Sequence, residues 1–175
     1  LAKKCLKFNW SVTSLSTKKP SKQRKLNKVK YKTCDLFNDK KIKKILSLDY
    51  DYVVNLAGYV DHSNKSKTMR SHYYGCKKIS EYFLKSNIQK FVQVGSSIEY
   101  GKIRSPQIEK KTNKQKTFST YGKAKLLSTK HLLNLYKKFK FPAVILRLYL
   151  VYGPIFTLCI GFRHFIKFIL KFCLL

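Results

Sequence analysis

The residues best suited to proton transfer in this sequence are tyrosines followed four positions later by lysine, because residues four apart share one face of a helix. On such a face a lysine ammonium can lower the pKa of the neighbouring phenol. The sequence has 12 Tyr and is rich in Lys, so such pairs also arise by chance. Four occur: Tyr73 with Lys77, Tyr74 with Lys78, Tyr121 with Lys125, and Tyr136 with Lys140.

Sequence context singles out the pair Tyr121 and Lys125. Tyr121 stands in STYGKAK at the start of a helix-like stretch, where a Ser or Thr can cap the helix. Ser96 lies 25 residues earlier, at the end of a strand-like run in VGSSIEYG, and the other three pairs have no such partner. Ser96, Tyr121 and Lys125 are therefore the candidate catalytic residues.

The elements that must position these residues alternate between short strand-like runs and longer helix-like ones. This alternation predicts a βα repeat and a parallel sheet, hence an α/β fold. Strands are predicted over residues 10–16, 29–34, 51–58, 90–96 and 141–148, and helices over residues 1–8, 38–46, 66–87 and 119–138. The apolar run in 51–58 suits a strand buried on both faces.

The last 21 residues, 155–175, are apolar but interrupted by Arg163, His164, Lys167 and Lys171, so we predict no transmembrane segment. Three of these basic residues recur every four positions, which predicts an amphipathic helix. We expect its apolar face to pack on a part of the protein outside this sequence, with binding to a membrane surface as the alternative. No signal peptide is visible, which favours a cytoplasmic location.

The composition limits the other classes of function. The formal charge of +30 raises the possibility of a nucleic-acid-binding domain. However, only five of the 38 basic residues are Arg, and the Lys residues are spread evenly, so we predict no specific nucleic-acid partner. The five Cys and four His form no pattern of metal ligands, and we predict no metal site.

Five ordered motifs give the sequence a family resemblance: CDLFND from Cys34, NLAG from Asn55, VGSSIEYG from Val94, YGKAK from Tyr121, and LRLYLVYGP from Leu146. With these motifs the sequence resembles the NAD(P)-dependent epimerase/dehydratase family, the extended short-chain dehydrogenases/reductases that act on nucleotide sugars. The resemblance implies a Rossmann-like, doubly wound parallel sheet. It also implies a homodimer and a nucleotide-sugar substrate of the surface-polysaccharide or deoxysugar type.

The resemblance implies a role for each member of the trio. Tyr121 would pass a proton to or from the sugar oxygen while hydride moves to or from the nicotinamide. Lys125 would hold the nicotinamide ribose and keep the phenol acidic. Ser96 would hydrogen-bond the same sugar oxygen.

The resemblance also implies the cofactor contacts. Asp35 would bind the adenine amino group, with Leu36 beside the ring. The cofactor would run over the small strand-end residues Leu56, Ala57 and Gly58. Where an acid would bind the ribose hydroxyls of NAD, the sequence has Ser16 followed by Thr and Lys18. This favours NADP over NAD.

Departures from the family pattern bear on the reaction. Ser97 and Ile98 replace the Asp-Glu pair of the dehydratases, so dehydration is disfavoured and epimerisation or 4-keto reduction remains. His72 and Leu150 stand where relatives have Asn.

The glycine-rich phosphate turn is absent from the sequence, which leads us to expect a sheet incomplete at both ends. We expect residues 1–154 to form the NAD(P)-binding domain and residues 155–175 the helical start of a truncated substrate-binding region. A chain so shortened should turn over poorly. The alternatives to an active nucleotide-sugar oxidoreductase are a non-catalytic NAD(P)-binding remnant and, behind it, a basic nucleic-acid-binding domain.

Overall fold

The computed structural model describes residues 1–102, 106–108, 117 and 119–149, and the backbone of residues 168–170. Its strands form one sheet in the order β2-β1-β6-β3-β4-β5. Their bounds are Val12–Ser16 (β1), Val29–Thr33 (β2), Tyr52–Asn55 (β3), Lys90–Ser96 (β4), Ala143–Leu148 (β5) and Phe168–Leu170 (β6). The first five strands point the same way, because β1 pairs parallel to β2, β3 to β4 and β4 to β5, while β6 is antiparallel to both its neighbours. The predicted parallel α/β sheet is confirmed.

Helices connect the consecutive strands from β2 to β5, and one further helix precedes β1. Their bounds are Ala2–Lys7 (α1), Asp39–Ile45 (α2), Lys65–Met69 (α3), Gly75–Tyr82 (α4) and Thr120–Phe139 (α5). Helices α2 and α5 each begin with a side-chain cap: Asn38 accepts a hydrogen bond from the Lys41 amide at 3.0 Å, and Ser119 accepts one from the Gly122 amide at 3.0 Å. Each cap satisfies a backbone donor that the first turn of a helix leaves unpaired.

The helices cover both faces of the sheet. On one face, strand residues Val53 and Phe91 pack with Phe83, which follows α4, and with Leu132 of α5. On the other face, Ala2 and Cys5 of α1 pack against Val12 and Val54. Neighbouring residues Val53 and Val54 thus face opposite layers, as the near-continuous apolar run of β3 predicts.

The helix predicted over residues 66–87 is interrupted by a π-helical turn, Arg70–Tyr74, between α3 and α4. Within it, the carbonyl oxygen of His72 accepts a hydrogen bond from the Ser128 hydroxyl of α5 at 2.9 Å. A partner from another helix satisfies a carbonyl at the point where the regular pattern of intrahelical bonds is broken.

The strand predicted over residues 51–58 ends at Asn55. Its side-chain oxygen accepts a hydrogen bond from the Ala57 amide at 3.1 Å, and its amide nitrogen donates to Gln93 on β4 at 2.7 Å. This local turn replaces strand pairing after Asn55. The segment 56–58 therefore leaves the sheet as a loop.

The helix predicted over residues 155–175 is wrong at Phe168–Leu170, which form β6 between β1 and β3. Leu170 pairs with Val12 on one side and Tyr52 on the other. Strand pairing on both sides satisfies backbone groups that β1 and β3 would otherwise leave unpaired inside the sheet. The rest of the predicted helix lies outside the described residues. Within those residues, no helix has the length and apolar character needed to cross a membrane.

Candidate functional site

The three candidate catalytic residues meet where β4 ends and α5 begins. Ser96 is the last residue of β4, and Tyr121 lies in the first turn of α5, with Lys125 one turn further along. The Ser96 hydroxyl lies close enough to the Tyr121 phenol for hydrogen bonding from it to lower the pKa of Tyr121. The Lys125 ammonium nitrogen lies 5.6 Å from the centre of the Tyr121 ring. The structure thus brings together three residues that are far apart in the sequence.

Lys125 is deeply buried, with 5% of its surface exposed. Its Nζ donates to the carbonyl oxygen of Val94 on β4 at 2.7 Å, which fixes the ammonium beside the strand. Burial lowers the pKa of Lys125 to about 8, although the charges of Glu99 and Cys76 act in the opposite direction. Near neutral pH Lys125 therefore still holds its proton, but only by a narrow margin.

The pKa of Tyr121 is raised, which differs from the expectation that Lys125 keeps the phenol acidic. The largest cause is burial of the phenol; the hydrogen bond with Ser96 lowers the pKa, and the Glu99 carboxylate raises it further. Desolvation disfavours the phenolate, and here it outweighs the stabilising contacts. In this structure the Tyr121 phenol is therefore protonated at neutral pH.

Two histidine rings enclose the Tyr121 ring. His62 stacks on it with ring centres 4.3 Å apart and planes at 24°, and His72 meets it edge-on at 4.9 Å. His62 is exposed, and burial of part of its ring lowers its pKa, with Lys125 acting in the same direction. No motif pointed to His62, and His72 was expected only as a departure from the family pattern that weakens a substrate or structural-water contact. The signal for His62 was its position in the loop that leaves the carboxyl end of β3.

The loop 56–58 follows β3 at the same edge of the sheet. Ala57 is buried, while Leu56 and Gly58 are half-buried. A Cβ atom at Gly58 would lie 2.7 Å from Cε1 of His72. The His72 imidazole therefore takes the space that a side chain at position 58 would need.

The residues predicted to bind adenine lie at the end of β2. Asp35 is exposed; it accepts hydrogen bonds from the Phe37 amide at 3.1 Å and the Arg70 guanidinium at 3.2 Å. Leu36, predicted to lie beside the adenine ring, is instead in the core with 3% exposure. The chain turns at Asp35. Phe37 is half-buried, and the central carbon of the Arg70 guanidinium lies 3.7 Å from the centre of its ring.

Ser16 and Lys18 occupy the end of β1 and the loop that follows. The Ser16 hydroxyl donates to the carbonyl oxygen of Lys18, and the Lys18 side chain is exposed. Both residues thus lie at the carboxyl edge of the sheet, where Asp35 and Ser96 also lie. Leu150 is outside the described residues.

The donor set at this edge fits the two ends of a dinucleotide cofactor. Asp35 offers an exposed carboxylate that can accept from an amino group, and Lys125 offers a buried ammonium beside a phenol. Within the described ranges no cluster of His, Cys, Asp or Glu has the composition of a metal site.

Glu99 is a further residue of the site that the sequence motifs did not single out. Its carboxylate is completely buried and accepts hydrogen bonds from the Ser96 amide at 2.8 Å, the Thr129 hydroxyl at 2.6 Å and the Arg147 guanidinium at 3.1 Å. Ser96 and Glu99 form a capping box on the short helical turn Ser97–Tyr100. The signal was the S-x-x-E spacing from Ser96 to Glu99, which is the sequence pattern of that motif.

The parallel sheet with helices on both faces places the chain in the Rossmann-like α/β class. The sequence profile described as the NAD dependent epimerase/dehydratase family matches residues 1–169, and the chain belongs to that family. A search of curated proteins found no match.

Several solved structures share the fold. The UDP-glucuronic acid 4-epimerase from Bacillus cereus in complex with UDP-glucuronic acid and NAD is 22% identical, with a TM-score of 0.70 over 87% of this chain and 52% of that one. The UDP-Glc/GlcNAc 4-epimerase from Campylobacter jejuni is 20% identical, with a TM-score of 0.71 over 83% and 48%. The UDP-glucose 4-epimerase from Thermotoga maritima with UDP-glucose is 16% identical, with a TM-score of 0.71 over 83% and 50%. This chain thus spans about half the length of these structures.

Proposed function

We propose that this protein is a nucleotide-sugar oxidoreductase that epimerises or reduces its substrate at the sugar 4-position, with Tyr121 as the acid/base. The observation that carries the proposal is the meeting of Ser96, Tyr121 and Lys125 at the carboxyl edge of the sheet. Family membership supports it. The solved structures with the same fold add support, because those proteins are 4-epimerases of UDP-sugars.

The chemistry of the trio follows from its geometry. Tyr121, a proton donor at neutral pH, protonates the sugar oxygen when a carbonyl is reduced, and takes the proton back in the reverse direction. Ser96, whose hydroxyl is near the phenol, orients the same oxygen. Lys125 places a positive charge next to the ring, which favours the phenolate each time the proton leaves.

A bound nicotinamide cofactor would supply or accept the hydride. Asp35 would receive the adenine amino group, and the loop 56–58 would lie under the cofactor. At the ribose, Lys18 and the lack of an acid at Ser16 favour NADP. Titration with NAD⁺ and NADP⁺ tests this preference, and tighter binding of NAD⁺ would overturn it.

The type of reaction is narrowed by two residues that differ from the dehydratase pattern. Ser97 and Ile98 provide no carboxylate for the elimination of water, so a dehydratase is disfavoured. UDP-glucose and UDP-glucuronic acid are the first probes to use, because they occupy solved structures of the same fold.

The experiment compares two tyrosines that share the same motif. Tyr136 of α5 and Lys140, which directly follows α5, are also four residues apart, and the Lys140 nitrogen lies 5.5 Å from the centre of the Tyr136 ring, but Tyr136 is 52% exposed. In the protein extended at both ends to the length of its relatives, with either cofactor and the two UDP-sugars, we expect Tyr121→Phe to lower turnover by about 10²–10⁴-fold while cofactor binding persists, because the proton donor is lost. Tyr136→Phe should leave turnover unchanged.

Chromatography of the sugar products and cofactor fluorescence provide the two measurements. Full turnover by Tyr121→Phe would contradict the role of Tyr121. Cofactor binding without turnover of any nucleotide sugar would favour a non-catalytic NAD(P)-binding protein instead. The predicted homodimer and the cytoplasmic location also remain proposals, which light scattering and cell fractionation can test.

A further inference from the structure

Glu99 connects the elements that carry the trio. Its Oε1 accepts from the amide of Ser96 at the end of β4. Its Oε2 accepts from Thr129, one turn after Lys125 on α5, and from Arg147 on β5. One carboxylate thus holds the end of β4 against both the helix of Tyr121 and the neighbouring strand.

Capping alone does not account for this residue. A capping box on the surface needs only an exposed Glu, whereas Glu99 is 0% exposed and its salt-bridge partner Arg147 has 10% of its side chain exposed. Removing two charges from water costs several kcal/mol each, and apolar replacements of such pairs are often neutral or stabilising. A buried ion pair at this place is therefore weak evidence for a purely structural role.

The backbone leaves room for the carboxylate. A Cβ atom at Gly95 would lie 2.5 Å from Oε1 of Glu99, so any side chain at position 95 would collide with it. The residue directly before Ser96 is thus the smallest possible one, and the carboxylate reaches the Ser96 amide past it.

The charge of Glu99 acts on both titrating members of the trio. It raises the pKa of Lys125 against the effect of burial and raises the pKa of Tyr121. Two groups on other elements also interact with Lys125, Cys76 of α4 and His62 of the loop after β3.

We propose that Glu99 is a positioning residue of the site, which fixes Ser96 against α5 and supplies the negative charge that acts on Tyr121 and Lys125. Its part in turnover rests on the proposed function. Its effect on Lys125 does not, because that effect can be measured without substrate or cofactor.

The test is the titration of Lys125 by NMR of isotope-labelled lysine, with Lys125→Met to assign the signal. The pKa of Lys125 in the wild type, about 8, should be well below the pKa of ordinary lysines. We expect Glu99→Gln, which keeps the shape and removes the charge, to lower the pKa of Lys125 by roughly one unit. The pH profile of turnover should shift downward with it.

Glu81→Gln is the matched control. Glu81 is a half-exposed glutamate on α4 that pairs with Lys77 at 3.9 Å, so the same change there should leave the Lys125 titration unaltered. An unchanged Lys125 pKa in folded Glu99→Gln protein overturns the inference. A lowered pKa in a protein that turns over no nucleotide sugar leaves the inference standing and counts against the proposed function.

If Glu99→Gln does not fold, a second variant takes its place in the Lys125 titration. Combining it with Arg147→Met removes both charges, so that neither is left buried alone. Circular dichroism checks the fold, and the Lys125 pKa should fall again, by less than in Glu99→Gln alone because loss of the Arg147 cation acts in the opposite direction. The wild-type value in the folded double variant would overturn the inference.

Discussion

Two ion pairs of almost the same length lie at the two ends of the carboxyl edge of the sheet. Glu99 and Arg147 are 3.1 Å apart with side chains 0% and 10% exposed, and Asp35 and Arg70 are 3.2 Å apart with both side chains 53% exposed. Burial, and not distance, separates them. The charges next to Tyr121 are fixed and shielded from water, whereas Asp35 is solvated and can exchange its partner for a ligand.

Arg147→Met should produce the largest change that this comparison predicts. It leaves the Glu99 carboxylate buried without its cation, which costs about 3–5 kcal/mol of unfolding free energy. Urea unfolding followed by circular dichroism measures this. A loss below about 1 kcal/mol would mean that the pair behaves like a surface pair.

Lys125 should make stability depend on pH in the alkaline range. Its pKa is about 8 in the folded protein against a usual 10.5, so between these values the unfolded chain binds more protons. Stability from this group therefore rises as the pH increases through that window, by about 3 kcal/mol in all. The measurement is the difference in unfolding free energy between wild type and Lys125→Met at several pH values. A difference that is constant with pH would contradict the prediction.

Arg70→Met should produce the smallest change. The pair with Asp35 is exposed and screened by salt, so its loss should cost less than about 1 kcal/mol of unfolding free energy. The same urea experiment gives the value. If Arg70→Met lowered the unfolding free energy as much as Arg147→Met, the exposed and the buried ion pair would contribute equally to stability, which would contradict the comparison.

The sequence predicts the regular parts of this fold well, because their signals are local. β4 was predicted with the bounds that the structure has, and helices α2 and α5 begin within one residue of their predicted starts. The pairing of Tyr121 with Ser96 also followed from motifs, since strand end and helix start meet at one edge of a parallel sheet.

Features that depend on contacts between distant segments could not be predicted in this way. The π-helical turn at His72 involves a hydroxyl of Ser128, which lies 56 residues away. Leu36 was expected beside the adenine ring, but the turn at Asp35 directs its side chain into the core. The raised pKa of Tyr121 depends on how deeply the folded chain buries the phenol, and a motif carries no information about burial.

Strand β6 has a consequence for the mechanics of the sheet. Among the described strands, β1 and β3 do not pair directly, and the β2-β1 part is joined to the β3-β4-β5 part by the three residues Phe168–Leu170. Helix α1 also spans this seam, because it packs on Val12 and on Val54. If a force pulled the strands apart sideways, the sheet would separate first at the three-residue pairing of β6. Each half would keep its own parallel pairing.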